Sequence, residues 1–543
     1  MFTQSLNPTG HLWLTVLLAL APLFVLISML AVFRITAWVA TIIAGILTLP
    51  LGVFVWHAPV AAAAKSYAYG ALTGIWAIDW ITFWGLIIFN TLVLTGDFDR
   101  FKSWMVHHAT ADIRIQTIML AWAFGALLEG LVGFGYPWAV VVPILVGLGI
   151  ADLDAIRVAA LANNAPVSFG ALGAPILGLA AVTGLPLMAL SASIGHIVAV
   201  LALLPPWVLI YLVSGWEGVL EAWPLAIVGS LSYIAGQWPV ARYFGPYLPD
   251  VTGALVSFWA LFIFVKLWRP KTIRGFGGVR IAASDSSFEA GAAREMSSAR
   301  RALSAWMPYI VLIAVVVAWT GPWSRLPAIS LFKLSVAAKS SVTQKAAASA
   351  FNFTPLTGGT SILAAWIVIL AILRPGLSTV KQVFAKTFHQ MWGALLVALF
   401  IFALAYVFVF TGMANSLAYG FSKIGVFFIV LAPVLGWIGV ALSGSNTSTN
   451  AMFGPIQAVT GRLLNFPVLL LPSLNSVGAE VGKPIAPQTA SVGVSTSRFV
   501  RSEGQVIRHN MAWTLIVLAY LIGIALLFYY VFPGAMALPA AVQ

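Results

Sequence analysis

The stretch SGSNTSTN, residues 443–450, carries a hydroxyl or amide side chain at every position except Gly444. It interrupts an apolar segment, and a second polar pair, Asn163 and Asn164, follows another apolar segment. Hydroxyl and amide groups donate hydrogen bonds of the kind that a carboxylate accepts. The first stretch supplies four candidate anion-binding residues: Ser443, Ser445, Asn446 and Thr447. The alternative interpretation is that small hydroxyl residues only allow helices to pack closely.

Charged side chains are rare in the apolar stretches, and each is a candidate for function because an unpaired charge in an apolar medium is costly. Glu129 is the only charged residue in GALLEGLVGFGYPWAV, and its carboxyl group could take up and release a proton. Asp79 lies in another apolar run and is a second candidate for proton coupling. Lys483 could neutralise a bound anion, or it could pair with Glu480 three residues earlier.

Glycine and proline interrupt the same apolar stretches. Residues 125–140 contain Gly130, Gly133 and Gly135, and Gly444 lies in the second polar stretch. Because these residues disfavour a continuous helix, we expect broken helices or re-entrant hairpins that line a cavity. The N-termini of such helices would direct free N–H groups and a positive dipole end toward an anion. Close helix packing is the alternative interpretation for these glycines.

The composition places these residues in a membrane protein. The chain is 61% hydrophobic and 8% charged, whereas ordinary soluble domains contain about 25% charged residues. Long stretches contain no Asp, Glu, Lys or Arg, and they are 12–33, 35–56, 81–95, 158–216 and 424–461. Because one helical crossing needs about 20 apolar residues, we predict an all-α polytopic membrane protein with roughly 12 to 14 transmembrane segments.

The net charge of +13 resides mainly in basic loops rather than in one patch. Positive residues concentrate on the cytoplasmic side of membrane proteins, which explains these loops better than nucleic-acid binding does. Since no Lys or Arg precedes Arg34, we expect the N-terminus outside the cell membrane and Arg34 inside. The absence of cysteine excludes disulfides and thiolate metal sites, and we expect no metal, no cofactor and no nucleic-acid partner.

An offset of about 311 to 312 residues relates the two halves of the chain. The matched positions are Gly125 with Gly436, Gly133 with Gly444, Asn163 with Asn475, Gly170 with Gly482, and Ala174-Pro175 with Ala486-Pro487. The charge pattern has the two units entering the membrane from opposite sides. We therefore predict inverted-topology repeats with re-entrant hairpins or broken helices, an arrangement that favours alternating access.

The repeats and polar loops divide the chain into five predicted regions. Residues 1–114 form N-terminal transmembrane helices, and 115–268 contain the first repeat with hairpin motifs 125–140 and 163–177. A cytoplasmic basic linker covers 269–304. Scaffold helices follow in 305–423, and 424–543 contain the second repeat, with motifs 436–455 and 475–493, and the last helix.

Several function classes compete at this point. Motifs of metalloproteases and serine hydrolases are absent from the sequence, which argues against a membrane enzyme. A proton-pumping subunit would need strings of buried titratable residues, whereas the charges here look isolated. A channel could use the same pore-lining residues, but the repeat favours a carrier. Few cations lie near the predicted site, which fits one negative charge better than two. A carrier for another organic or inorganic anion, such as a dicarboxylate or a Na⁺-coupled carrier, is the main alternative.

Four motifs give the chain a family resemblance. GALLEGLVGFGYPWAVVVPILVGLG, NNAPVSFGALGAPI, GWIGVALSGSNTSTNAMF and GKPIAPQ resemble the lactate permease family, and LNPTGHLWL, GIWAIDWI and SAWMPYIVL do so more loosely. The resemblance implies proton symport of L-lactate, glycolate and related 2-hydroxy monocarboxylates, within the wider group of ion transporters. The family commonly has Asp at the position of Asn446 and small residues at Tyr136 and Trp138.

The resemblance also implies site residues. The implied substrate-binding residues are Asn163, Asn164, Ser443, Ser445, Asn446, Thr447, Asn475, Lys483 and Gln488. Glu129 and Asp79 would couple the proton, and Gly130, Gly133, Gly135 and Gly444 would form the hairpins. The partners would be lactate or glycolate, H⁺ and membrane lipids. A proton on Glu129 and a carboxylate at the hairpin tips would leave the loaded carrier electrically neutral.

Overall fold

The computed structural model describes residues 2–100, 112–133, 135–281, 299–344, 346–495 and 502–539. Within these ranges, eight helical segments are long and apolar enough to cross a membrane, and one bent helix pair would make nine. The eight are Leu12–Leu30, Ala37–Phe54, Val60–Leu94, Leu187–Tyr243, Pro249–Leu267, Leu377–Thr411, Gly425–Ser443 and Glu503–Tyr530. The prediction of a polytopic helical membrane protein is thereby confirmed.

The number of membrane segments depends on how the broken helices are counted. Leu187–Tyr243 is 57 residues long, whereas about 20 residues suffice for one crossing. Tyr136–Gly147 and Gly358–Leu373 are apolar but short, with 12 and 16 residues. The total of about 12 to 14 segments therefore stays a prediction.

The N-terminal region forms four helices: α1 (Leu12–Ala31), α2 (Ala37–Phe54), α3 (Val60–Thr73) and α4 (Trp80–Leu94). The left-handed residues Arg34 and His57 follow α1 and α2, respectively, and let the chain turn back. A π-helical turn, Gly74–Asp79, joins α3 to α4 and carries the buried Asp79. Such turns are frequent at functional positions because they redirect side chains within a helix.

Between residues 112 and 268, the part of the chain that the structure describes forms eight α-helices, several of them broken. They are α5 (Ile113–Thr117), α6 (Gly125–Leu131), α7 (Tyr136–Gly147), α8 (Asp152–Ala162), α9 (Gly170–Thr183), α10 (Leu187–Leu201), α11 (Pro205–Tyr243) and α12 (Pro249–Leu267). A π-helical segment, Ile118–Phe124, connects α5 to α6. Left-handed residues at 171–173 break α9 after its first turn, and Gly215 breaks α11.

The described residues of the C-terminal half contain nine α-helices. They are α13 (Ala299–Thr320), α14 (Gly358–Leu373), α15 (Leu377–Thr411), α16 (Met413–Ser422), α17 (Phe428–Ser443), α18 (Asn446–Leu463), α19 (Leu470–Gly482), α20 (Pro487–Ser495) and α21 (Glu503–Tyr530). A 3-10 turn, Lys483–Ile485, separates α19 from α20. Proline at the first position of α20 fits this start, since its missing N–H has no helical partner there.

Two regions of the chain share one order of elements. In the first, Gly133 and Gly135 separate α6 from α7, and α8 leads through a short turn into the broken α9. In the second, Gly444 separates α17 from α18, and α19 leads through Lys483–Ile485 into α20. This shared order agrees with the predicted repeat, while the inverted orientation of the two units in the membrane stays a prediction.

A small sheet accompanies the helices and was missing from the all-α prediction. The strands β1 (Phe2–Thr3), β2 (Phe332–Lys339) and β3 (Ala346–Phe353) form the order β1-β2-β3. β1 is parallel to β2, and β2 is antiparallel to β3 with Phe332 opposite Phe353. The sequence could not show this sheet, because β1 has two residues and its partner lies more than three hundred positions away.

A buried charge cluster lies at the start of the predicted basic linker. Arg114 is 0% exposed and binds Asp112 at 2.6 Å and Glu221 at 3.0 Å. Arg274 binds the same Glu221 at 2.7 Å, and its hydrogen bonds to Glu221 raise the pKa of Arg274 above its ordinary value. The first residues of the linker are thus held against α5 and α11, while residues 282–298 lie outside the described part of the chain.

Candidate functional site

A cavity of about 450 Å³ lies where the two candidate hairpins meet α2, the π-helical turn Gly74–Asp79, α4 and α15. Ten of the residues singled out in the sequence line it: Asp79, Glu129, Gly133, Ser443, Gly444, Ser445, Asn446, Thr447, Lys483 and Gln488. Five others do not line it: Gly130, Gly135, Asn163, Asn164 and Asn475. The exposed residues Gln390 and Gln488 lie among the lining residues and mark its open end.

The second hairpin presents the start of α18 to this cavity. Gly444 adopts φ +73°, and a side chain there would collide with the amide of Gln488. Ser445 is the N-cap of α18, and its Oγ accepts a hydrogen bond of 3.2 Å from the N–H of Ser448. This cap leaves other amides of the first turn without a partner in the helix, and they point toward the cavity end of α18.

The first hairpin is built on two left-handed glycines. Gly133 and Gly135 adopt φ +67° and +79°, and Phe134 between them lies outside the described residues. Gly133 borders the cavity, whereas Gly135 packs against Thr489 of α20. Gly130 faces the other way, because a Cβ on it would lie 2.8 Å from the Cβ of Asp250. These glycines therefore allow both the turn and close packing.

Glu129 and Lys483 form an ion pair in the cavity wall. The Nζ atom of Lys483 lies 2.6 Å from Oε1 of Glu129, and their side chains are 7% and 2% exposed. The amide of Asn163 donates a hydrogen bond of 2.9 Å to Oε2 of the same carboxylate. Gly170 leaves room for this carboxylate, since a Cβ there would lie 2.7 Å from Oε1.

Lys483 does not pair with Glu480, so that alternative from the sequence is wrong. Glu480 is 0% exposed and accepts a hydrogen bond of 2.7 Å from the hydroxyl of Ser168. Helical spacing brings side chains three apart close together only while the helix continues. Here α19 ends at Gly482, and Lys483 begins the 3-10 turn that directs its side chain to Glu129.

Hydrogen bonds of Asn446, Asn450 and Asn475 join the broken helices around the cavity. The amide of Asn475 donates to Oδ1 of Asn450 at 2.9 Å, and Asn450 donates to the carbonyl of Pro175 at 3.1 Å. Asn446, which lines the cavity, donates to the carbonyl of Ser476 at 3.1 Å. Asn164 is 1% exposed, and neither amide atom has a hydrogen-bond partner among the described residues.

Buried acids are less isolated than the sequence indicated. Asp250 is 1% exposed, accepts a hydrogen bond of 2.9 Å from the hydroxyl of Tyr233, and lies close enough to Glu480 and Glu129 for their charges to interact. Asp250 is the second residue of the apolar helix α12 and was not among the residues singled out from the sequence. The rule that an intramembrane charge marks a functional candidate applies to it as it does to Glu129.

Helices outside the repeats supply the opposite wall, which the sequence motifs did not predict. Trp38 of α2 and Gln390 and Met391 of α15 line the cavity. Gln390 donates a hydrogen bond of 2.6 Å to the hydroxyl of Tyr136 and accepts one of 2.8 Å from Asn90. The sequence did not single out these positions, because neither an apolar residue nor a lone glutamine in a long helix distinguishes a cavity wall from another helix surface.

Four helix starts converge on the cavity. Tyr136 begins α7, Ala174 continues α9 after its break, Asn446 begins α18, and Gln488 is the second residue of α20. Each start contributes the positive end of a helix dipole. The first turn of α18 also contributes N–H groups without a helical partner, whereas at the start of α7 the N–H groups of Tyr136 and Trp138 donate to the carbonyls of Gly133 and Gly135. Together with the ammonium group of Lys483, the four starts form a cavity suited to a small anion.

The fold and the cavity thus define a multi-pass helical membrane protein with a polar internal cavity between broken helices. A profile of the L-lactate permease family matches residues 15–532. The chain belongs to this family.

Its relatives match over almost their entire length. The glycolate permease GlcA of Escherichia coli K12 is 36% identical over 558 residues, covering 98% of this chain and 99% of that protein. The L-lactate permease of Bacillus subtilis strain 168 is 32% identical, with coverages of 98% and 99%. The L-lactate permease of Escherichia coli K12 is 30% identical, with coverages of 95% and 97%.

Solved structures are much more distant. The YdaH transporter of Alcanivorax borkumensis is 15% identical with a TM-score of 0.48, covering 91% of this chain and 99% of that one. MtrF of Neisseria gonorrhoeae, from a class of antimetabolite efflux pumps, is 13% identical with a TM-score of 0.45 and coverages of 88% and 85%. These values are too low to assign a substrate or mechanism to this chain.

Proposed function

We propose that this protein carries L-lactate, glycolate and related 2-hydroxy monocarboxylates across the cell membrane together with a proton. Its relatives are named L-lactate and glycolate permeases and align over nearly the full chain. The observation that carries the proposal is the ion pair of Lys483 and Glu129 in the wall of a cavity that helix starts surround. This pair offers one site for a carboxylate and one for a proton.

The substrate carboxylate binds between Lys483 and the start of α18. Lys483 is the one Lys or Arg among the described residues that line the cavity. A single ammonium group matches one carboxylate, and the dipole of α18 adds attraction at the same point. The hydroxyl groups of Ser443, Ser445 and Thr447 provide hydrogen bonds for the 2-hydroxyl group of the substrate.

Proton binding and substrate binding depend on each other through this pair. In the empty carrier, Glu129 neutralises Lys483. When Glu129 takes up a proton, Lys483 loses its counter-charge and binds the substrate carboxylate instead. The pair and its cargo therefore have zero net charge both when empty and when loaded, so either form can change its orientation without a buried unpaired charge.

The membrane potential explains why a proton is carried. Lactate is an anion at neutral pH, because simple carboxylic acids titrate near pH 4 or so. Moving one negative charge into a negative cell costs about 2.3 kcal/mol per 100 mV. A proton carried with each lactate removes this cost, and a pH gradient then drives accumulation.

The supporting residues act through these groups. Asn163 holds Glu129 through its amide, and Gln488 packs against the turn at Gly444. Asn475 fixes Asn450 behind the wall. Asp79 lines the cavity opposite the hairpins and is a second proton-accepting group. We further propose that the N-terminus lies outside the cell and that the open end of the cavity faces the basic, cytoplasmic loops.

A carrier for another anion, or one coupled to Na⁺, is less well supported. A dicarboxylate needs a second cation, and the described lining residues contain none beyond Lys483. The uptake experiment separates Na⁺ coupling from proton coupling, because a Na⁺-coupled carrier would require Na⁺. A channel is the third alternative, and accumulation against a gradient separates it from a carrier.

The first experiment measures uptake of radiolabelled L-lactate into proteoliposomes with an inward proton gradient. We expect accumulation that disappears when a protonophore collapses the gradient and that competes with glycolate. Imposed K⁺ potentials should leave accumulation unchanged, because the loaded carrier is neutral. Uptake that followed the potential, or that needed Na⁺, would contradict proton symport. If no lactate were taken up under any gradient, the proposed identity of the substrate would be wrong.

A further inference from the structure

A second cavity of about 370 Å³ is lined by residues of α9, α15 and α18, three helices that also line the first cavity. Gln4 behind β1, Ser340 and Ser349 of the β2–β3 hairpin, Tyr406 of α15 and Arg462 of α18 are among its lining residues. It shares no lining residue with the first cavity. The β2–β3 hairpin and the N-terminal strand therefore form one wall of a separate polar space.

Three helices lead from one cavity to the other. On α9, Ala174 lines the first cavity and Val182 the second, and on α15 the same holds for Ala398 and Tyr406. Each pair is eight residues apart, which corresponds to about 12 Å along a helix. On α18, the first turn lines the first cavity, and Pro455 to Arg462 line the second. The cavities thus lie in line along α9, α15 and α18.

One layer of side chains separates the two spaces. Phe402 of α15 is 0% exposed and lies one turn from both Ala398 and Tyr406. Its ring tip fills the space at Gly178 of α9, because a Cβ on Gly178 would lie 2.9 Å from Cζ of Phe402. The same point would lie 3.2 Å from Cγ2 of Thr447, which lines the first cavity.

We propose that the second cavity is the vestibule through which the monocarboxylate anion reaches the Lys483 cavity from the opposite membrane face, with Phe402 seated on Gly178 as the barrier between them. The inference rests on the proposed function for the identity of the anion. The predicted orientation makes this face the extracellular one, because Gln4 of the N-terminal segment lines the vestibule and the N-terminus is predicted outside.

The chemistry of the vestibule favours passage over tight binding. Arg462 is exposed there and attracts anions, and the hydroxyl of Tyr406 adds a polar group. The C-terminal ends of α9 and α18 lie at this cavity, and their negative dipole ends oppose anion binding. An anion is therefore drawn in by Arg462 and released toward the four helix starts of the first cavity.

The natural chain has no cysteine, so single cysteines report access without background. Thr183→Cys places a thiol in the vestibule, and Ala394→Cys places one in the first cavity. In oriented membrane vesicles, we expect the impermeant reagent methanethiosulfonate ethyltrimethylammonium to label the two from opposite sides. Labelling of both from one side would overturn the assignment of two separate entrances.

The barrier is tested by adding Phe402→Ala to the Ala394→Cys variant and applying Ag⁺ from the vestibule side. We expect the thiol to react at least tenfold faster than with Phe402 intact. Phe408→Ala is the matched control, because Phe408 is also a buried α15 residue but lines neither cavity. Equal reaction rates in the two alanine variants, with both proteins folded by size-exclusion chromatography, would contradict the barrier.

Arg462 is tested by transport kinetics. Arg462→Gln should raise the KM for lactate from the vestibule side roughly tenfold at low ionic strength, the lower end of electrostatic steering. Arg462→Lys should restore it, and the KM from the other side should stay unchanged. An equal rise on both sides would overturn the vestibule role. If the thiols react as expected but lactate is not carried, the two entrances stand and the proposed substrate fails.

Discussion

At the scale of single residues, the central feature is a pair of charges that the chain brings together from 354 positions apart. Lys483 and Glu129 lie in a wall that buries both side chains. A buried ion pair contributes little net stability, but losing one partner leaves the other charge uncompensated. In the proposed mechanism, protonation of Glu129 has the same local effect, and a substrate carboxylate then binds Lys483 in its place. The pair would in this way link the proton to the anion.

Glu129→Gln should abolish net accumulation and preserve exchange. The wild-type protein should accumulate lactate roughly tenfold for one pH unit, which corresponds to 1.36 kcal/mol. The variant can load lactate on Lys483 and cross as a neutral complex, but its empty form carries an unpaired positive charge and returns slowly.

Accumulation and counterflow assays in proteoliposomes measure the two activities separately. Glu503→Gln, at the start of α21, is the control. Full pH-driven accumulation by Glu129→Gln would contradict the assignment.

Lys483→Met should lower the free energy of unfolding by about 3–5 kcal/mol, because it leaves Glu129 buried without a counter-charge. Adding Glu129→Gln should recover most of this loss, since no buried charge then remains. Thermal unfolding in detergent measures both variants, and lactate uptake should stay absent in each. Two additive losses in the double variant would show that the two residues do not depend on each other.

At the scale of elements, the site depends on where helices stop. The glycines between α6 and α7 and between α17 and α18 adopt left-handed conformations that other residues reach only at a cost. The breaks leave helix starts inside the protein, where their N–H groups have no neighbouring turn. A continuous helix at any of these places would remove those donors from the cavity.

Gly444→Ala should reduce transport strongly and destabilise the protein by roughly 1–3 kcal/mol, because an alanine there is strained and collides with the side chain of Gln488. Gly523→Ala is the matched control, since Gly523 lies within α21 with open space around its Cα and alanine favours helix there. Lactate uptake and thermal unfolding are the measurements. Equal behaviour of the two variants would argue against a strained turn at Gly444.

At the scale of the whole molecule, two cavities lie along the same three helices, and Phe402 is the proposed barrier between them. One is bordered by the N-terminal segment and the β2–β3 hairpin, and the other contains the exposed Gln390 of α15. If the protein is a carrier as proposed, the predicted repeats would have to move relative to α15 to change the side on which the Lys483 cavity opens.

The orientation of the molecule is tested with the cysteine-free chain. Lys65→Cys and Lys381→Cys both replace exposed residues. Lys65 follows α2, which starts inside near Arg34, and is therefore predicted outside. Lys381 lies in a basic segment that is predicted to be cytoplasmic. In intact cells, an impermeant maleimide should label Lys65→Cys completely and Lys381→Cys only after permeabilisation. The reversed pattern would place the N-terminus inside and would exchange the two faces in the proposals above.

The sequence by itself determined the class of protein, because long charge-free stretches have one stable form in a bilayer. It also identified ten of the 29 residues that line the cavity, since isolated charges are costly in a membrane helix and glycine and proline break helices where a cavity is lined. Glu129, Lys483 and the residues around Ser445 follow from that argument, and ten of the fifteen singled-out residues border the cavity.

The tertiary structure decided which of these groups meet. Local spacing suggested Lys483 with Glu480, but the end of α19 redirects Lys483 to Glu129. It also revealed the wall from α2 and α15, the buried Asp250, and a sheet whose first strand pairs with residues far along the chain. These features depend on contacts between distant segments, and helix packing sets such contacts through side-chain shapes that no local pattern encodes.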